Sequence, residues 1–148
     1  MGIKLTTNNK ICYFSYYNWY SQRLILSDHY FNYLQNSKES KLQSFFDNFK
    51  NDSLFNENKS YYTKLNKYRY YFNLYSNDLQ KLNILGIIIL INASDTDGCI
   101  SFNNSKEILT ALDVIKSYVT FDITKEFVKS LSNICELSIQ NNSNIMIC

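Results

Sequence analysis

The sharpest chemistry in this chain is offered by one polar run, Asn92-Ala93-Ser94-Asp95-Thr96-Asp97-Gly98-Cys99-Ile100. Its carboxylates alternate with other residues and lead into Gly98 and then Ile100, an order that calcium loops of the EF-hand type use. Asp supplies hard oxygen ligands, Gly permits a sharp turn, and the hydrophobic residue pins the loop to the core. Ala93 stands where such a loop has its first ligand, and Asn104 where it has its closing bidentate Glu, so two of the strongest ligands are missing. Three readings remain open. The run is a degenerate calcium loop, or a turn in which Asp95 and Asp97 accept backbone N–H bonds. In the third reading it is a ligand loop at the carboxyl end of a buried strand, with Ser94, Asp95 and Asp97 bonding a ribose or base.

A second candidate runs from Lys59 to Tyr75. It holds Lys59, Lys64, Lys67 and Arg69, no acid, and a dense set of tyrosines including Tyr68. Aromatic faces interleaved with cations can stack bases and neutralise phosphates. The competing reading is a Tyr-rich helix that forms core and rim, in a composition rich in Asn, Ile, Lys, Tyr and Phe, as AT-rich coding favours. A net charge of +2 is too small for general nucleic-acid affinity.

Other chemistries find no support. His29, between Asp28 and Tyr30, has the type of a general acid or base but no nucleophile motif beside it. Cys12, Cys99, Cys135 and Cys148 form no C-x-x-C pair and lie far from His29 in sequence, which argues against structural zinc and a Cys–His nucleophile. Neither a G-x-x-x-x-G-K nor a G-x-S-x-G motif occurs, and no motif implies a cofactor. The expectation is a protein that is not an enzyme.

The 148 residues suffice for a single domain, 1–148, and 45% hydrophobic against 19% charged content marks a globular chain. Residues 1–91 carry a net +5 and residues 92–148 a net −3, a polarised distribution whose positive face could meet an anion. The start, Met1-Gly2-Ile3-Lys4, is unlike a signal peptide, and the apolar run Ile84–Ile91 is too short to span a bilayer. Cytoplasmic residence with free thiols is expected, with no membrane contact.

These residues must be positioned by a few elements. Ile3-Lys4-Leu5 and Ile11-Cys12-Tyr13-Phe14 flank the turn-prone Thr7-Asn8-Asn9-Lys10, which predicts an N-terminal hairpin. From Tyr17 to about Asn36, Trp19, Tyr20, Arg23, Leu24, Leu26, Tyr30, Phe31 and Leu34 fall near helical spacing. Ser40–Asn51 repeats the pattern, and Asn51–Ser60 reads as a loop. Between Tyr61 and Tyr75 the spacing suits a helix and the aromatics suit a strand; the helix is the preferred reading. Gly86–Ile91 is short, β-branched and unbroken, which predicts a strand buried on both faces. Two helices follow, one with Ile108, Leu112, Ile115 and Val119 on one side, the other capped by Thr124 and carrying Phe127, Leu131, Ile134 and Cys135. Ile145-Met146-Ile147 supplies a last strand. The expected class is α+β: a small mixed or antiparallel sheet of hairpin, central buried strand and C-terminal strand, packed by about four to five helices.

Three stretches together resemble an uncharacterised family of small phage and bacterial proteins. Ser15-Tyr16-Tyr17-Asn18-Trp19-Tyr20-Ser21-Gln22-Arg23-Leu24 is similar to that family's early Ser-Tyr-x-x-Phe/Trp-x-x-x-Arg stretch. Ile89-Leu90-Ile91-Asn92-Ala93-Ser94-Asp95-Thr96-Asp97-Gly98 resembles its signature, an apolar strand followed by His-Ser-Asp-Cys-Asp-Gly. Phe127-Val128-Lys129-Ser130-Leu131, with Asn141-Asn142 and the Ile145 strand, resembles its closing elements. Ala93 and Thr96 depart from the signature's His and Cys, which argues against catalysis and leaves a binding role for Ser94, Asp95 and Asp97. The resemblance implies a phage setting and carries no activity.

In that setting the leading expectation is a non-enzymatic protein that sequesters a nucleotide signal of host antiphage defence. Ser94, Asp95 and Asp97 would make polar contacts, and Arg69, Lys67, Tyr68 and Arg23 would meet phosphate and base. The alternatives are a protein–protein interaction module that inhibits a host protein, for which an exposed apolar patch would speak, and the degenerate calcium-binding structural protein. The sequence leaves the oligomeric state open.

Overall fold

The computed structural model describes residues 2–37, 42–52, 61–93 and 97–148. The first two strands, β1 (Gly2–Thr7) and β2 (Lys10–Ser15), form the expected hairpin. Asn8 and Asn9 turn it with φ of 44° and 67°, the left-handed pair that a two-residue hairpin loop requires and Asn tolerates. Two short strands, β3 (Gly98–Ile100) and β4 (Ile145–Ile147), complete an antiparallel sheet of order β2-β1-β4-β3. The register puts Ile3, Leu5, Phe14, Ile100, Ile145 and Ile147 on the inner face, all buried.

Helix α1 (Tyr16–Asn36) follows β2 without a linker, because Ser15 caps it by accepting from the Asn18 amide at 3.1 Å. The predicted Ser40–Asn51 helix is observed over Gln43–Asn51 (α2), its first residues lying outside those described. Tyr61–Leu74 is helical (α3), as its spacing indicates, and is followed by α4 (Ser76–Lys81). Phe31, Phe45, Phe49, Tyr68 and Phe72 interlock between α1, α2 and α3 with ring centroids 4.6–6.2 Å apart. The aromatics that suited a strand are therefore the packing surface of a helix.

The predicted central strand is overturned. Gly86–Asn92 is a helix, α5, with Gly86, Ile87, Ile88, Leu90 and Ile91 all buried. A short apolar run without alternation fits a buried strand and a buried helix equally. Here the helix satisfies most backbone groups internally, and the sheet is built without it. Gly86 lies where α5 meets the next helix, α6 (Phe102–Ile115): a Cβ there would stand 2.2 Å from the Glu107 carbonyl oxygen. The strand that does precede α6 is β3, which the sequence reading missed.

The last helix, α7 (Asp122–Gln140), packs on α6 and under the hairpin. Thr124 does not cap it, because the helix begins at Asp122. Thr124 is instead buried in the first turn, donating to Gln22 Oε1 at 2.7 Å. The fold is α+β, with seven α-helices among the described residues, more than the four to five expected. No helix among them is long and apolar enough to cross a membrane.

Candidate functional site

Two residues proposed for phosphate contact, Arg23 and Arg69, meet at the C-terminus of α5. Arg23 is fully buried in α1. Its Nε donates to Trp19 O at 3.1 Å, and one terminal nitrogen donates to the carbonyls of Leu90 (3.3 Å), Ile91 (3.4 Å) and Ala93 (3.2 Å). The guanidinium also sits 4.7 Å from the Trp19 ring centroid and 5.4 Å from that of Tyr20. Arg69, half-buried on α3, donates through Nε to Ile91 O at 2.6 Å and through a terminal nitrogen to Asn66 Oδ1 at 2.9 Å. A helix end leaves carbonyls without partners and carries partial negative charge, so two cations there satisfy both needs.

Lys67 and Tyr68 face elsewhere. Lys67 is buried, with Nζ 4.1 Å from the Phe49 ring centroid. Burial lowers its pKa, and the Asp52 charge opposes that shift. Tyr68 lies in the aromatic core and donates its hydroxyl to Asp28 Oδ1. Burial, with the Asp28 charge and bond, pushes the phenol well above its ordinary value.

Asp97 is exposed just before β3, whereas Ser94 and Asp95 lie outside the described residues. The seven proposed ligand residues are thus divided. Arg23 and Arg69 converge next to Ala93, and Lys67 and Tyr68 belong to the α1–α3 aromatic packing. Among the described residues no three His, Cys, Asp or Glu side chains gather as metal ligands would. His29 lines an open cleft between α1 and Tyr118, together with Asn32 and Tyr33. All four cysteines are free.

A second cleft, of about 410 Å³, lies between the end of β2 with the first turns of α1 and the first half of α7. Its floor is Phe14 against Phe127, with centroids 4.8 Å apart. Tyr13 and Ile123 form its apolar rim, 54% and 66% exposed, and the charged residues lining it are Asp122 and Glu126. Ile11, Tyr17 and Phe121, neighbours of these elements in sequence, are each at least 67% exposed. The reading from motifs missed this surface. Its signal was the absence of polar alternation in Ile11-Cys12-Tyr13-Phe14, since a one-sided sheet ordinarily turns polar residues to water.

Neither the family models nor the curated proteins nor the solved structures contain a match to this chain.

Proposed function

We propose that the chain is a non-catalytic interaction module whose partner is a protein. One observation carries this reading: the exposed apolar side chains of Ile11, Tyr13, Tyr17, Phe121 and Ile123 are grouped on β2 and at the adjoining ends of α1 and α7, and two of them rim one cleft. Large exposed apolar side chains grouped in this way mark contact surfaces more often than scattered ones do. The phosphate-contact reading has less support, because Arg23 is enclosed and its guanidinium is bonded to backbone carbonyls. An interaction module that inhibits a host protein fits the same surface in the phage setting that the sequence suggests.

The test is quantitative affinity capture with wild-type protein and a Tyr13→Ser/Ile123→Ser variant. Both side chains are more than half exposed, so the variant should melt with the wild type. A protein retained by wild type and depleted at least tenfold by the variant supports the reading. Equal recovery of every protein by both forms overturns it, as does a nucleotide adduct in native mass spectra of the purified chain.

A further inference from the structure

Among the described residues no strand pairs with the outer edge of β2, and the cleft adjoins that edge. In the order β2-β1-β4-β3, β2 is an outer strand. Its two-residue turn makes Thr7 and Lys10 the first hydrogen-bonded pair, and bonded and non-bonded pairs then alternate. Cys12 and Phe14 therefore bond β1, while the amides and carbonyls of Ile11 and Tyr13 point away from it. An unpaired row of this kind is a template for another strand unless it is blunted by charge, proline or cover. Between Ile11 and Ser15, β2 holds no charged residue and no proline.

The cleft supplies the second half of the argument. Gln22 is 5% exposed and lines it, and its Oε1 accepts from Thr124. That buried bond holds the Gln22 side chain in place on the cleft wall. Phe14 and Phe127 form an apolar floor that suits alternate side chains of an extended chain. Asp122 and Glu126, one helical turn apart on the wall, form no ion pair among the described residues, and Lys125 and Lys129 of the same helix do not line the cleft.

We infer that the open edge of β2 takes an extended, basic segment of the partner as a fifth strand. Its backbone pairs with Ile11 and Tyr13, its apolar side chains rest on Phe14 and Phe127, and its Lys or Arg residues meet Asp122 and Glu126. Main-chain bonds supply affinity in such strand addition, and pockets for alternate side chains supply selectivity. The acidic lining decides the partner's charge, and among the described residues no cation lines the cleft. This inference rests on the reading of the chain as a protein-binding module and names the partner chemistry of that surface.

The probes are labelled peptides of alternating Val and Lys, the matching Val and Glu peptide, and the Val and Lys peptide with alternate backbone amides methylated. Fluorescence anisotropy is read with the full chain. The Val and Lys peptide should bind and should protect the Ile11 and Tyr13 amides from hydrogen exchange. Affinity should fall at least tenfold with Asp122→Asn/Glu126→Gln, fall with added salt, and fall with methylation. An Asp122→Asn/Glu126→Gln variant that melts with the wild type excludes a folding explanation. Failure of the Val and Lys peptide to bind, or equal binding of the acidic or methylated peptide, overturns strand addition. Concentration-dependent self-association with protection of the same amides overturns it in favour of a second copy. If capture through Tyr13 and Ile123 succeeds while the peptides fail, the module reading stands and the strand inference alone is lost.

Discussion

Arg23 and Arg69 donate to the same oxygen, the carbonyl of Ile91, from helices α1 and α3 on either side of α5. Arg23 adds the carbonyls of Leu90 and Ala93, so a single buried guanidinium closes most of the α5 terminus. Arg23→Met keeps much of the apolar stem and removes the donors. Each buried acceptor left unbonded costs about 1–3 kcal/mol, so a loss of about 3 kcal/mol is expected for Arg23→Met. For the half-buried Arg69→Met, whose carbonyl Arg23 still reaches, the loss should be about 1 kcal/mol. Urea unfolding of the two variants checks the order, and a larger loss at Arg69 would contradict the capping role.

Gly86 tests the packing of α5 from its other end. Alanine is the better helix former by about 1 kcal/mol, so Gly86→Ala would stabilise an isolated helix. Its Cβ would however stand 2.2 Å from Glu107 O and 2.6 Å from the Ile108 Cα, both main-chain atoms that cannot swing aside. Overpacking of this kind costs about 1–3 kcal/mol and here outweighs the propensity gain. The variant should melt below wild type, and a rise in Tm would show that α5 and α6 part freely.

The hairpin and helix α5 show how far the sequence could be read. Hairpin, α1, α3 and the C-terminal strand were legible because turn chemistry and periodicity are local signals, carried by Asn8 and Asn9 or by Leu24, Phe31 and Leu34. Ile87 to Ile91 gave no period at all, and the donors that close the end of their helix come from Arg23, 67 residues from Leu90. The sequence offers Arg23 and Arg69 as phosphate contacts, but their carbonyl partners are tertiary. The cleft joins Gln22 to Thr124 across 102 residues, a distance at which no motif reports.

The hairpin turn offers a stabilising test. Asn9 holds φ at 67° at the second position of a two-residue turn, where glycine pays no steric penalty. Asn9→Gly is expected to raise stability by a few tenths of a kcal/mol, and Asn9→Val to lower it by about 1–2 kcal/mol. Because β2 is the proposed docking edge, amide exchange at Cys12 and Phe14, which bond β1, should slow in the glycine variant and quicken in the valine variant. Unchanged exchange in both would separate the turn from the order of the edge.

Alkaline pH tests the buried protons. Burial raises the Cys135 thiol from 9.0 to about 12, despite an opposing bond with Ser105, and burial likewise raises Cys12, Tyr30 and Tyr68. Above pH 9 the unfolded chain releases the Cys135 proton while the folded chain keeps it. The unfolded state then binds fewer protons, so stability falls as pH rises. The Cys135 contribution is intact below pH 9 and is lost at up to about 1.4 kcal/mol per pH unit as pH climbs towards its folded value. The tyrosines add to the decline above about pH 10. Lys67 acts in the opposite sense: burial lowers its pKa, so the unfolded state binds the extra proton between the lowered value and 10.5, and stability rises through that window. Urea midpoints under reducing conditions should therefore decline above pH 9, and Cys135→Ala should flatten the slope between pH 9 and 10 whatever its effect on stability at pH 7. An equally steep slope in the variant would show that this thiol does not hold its proton in the folded chain.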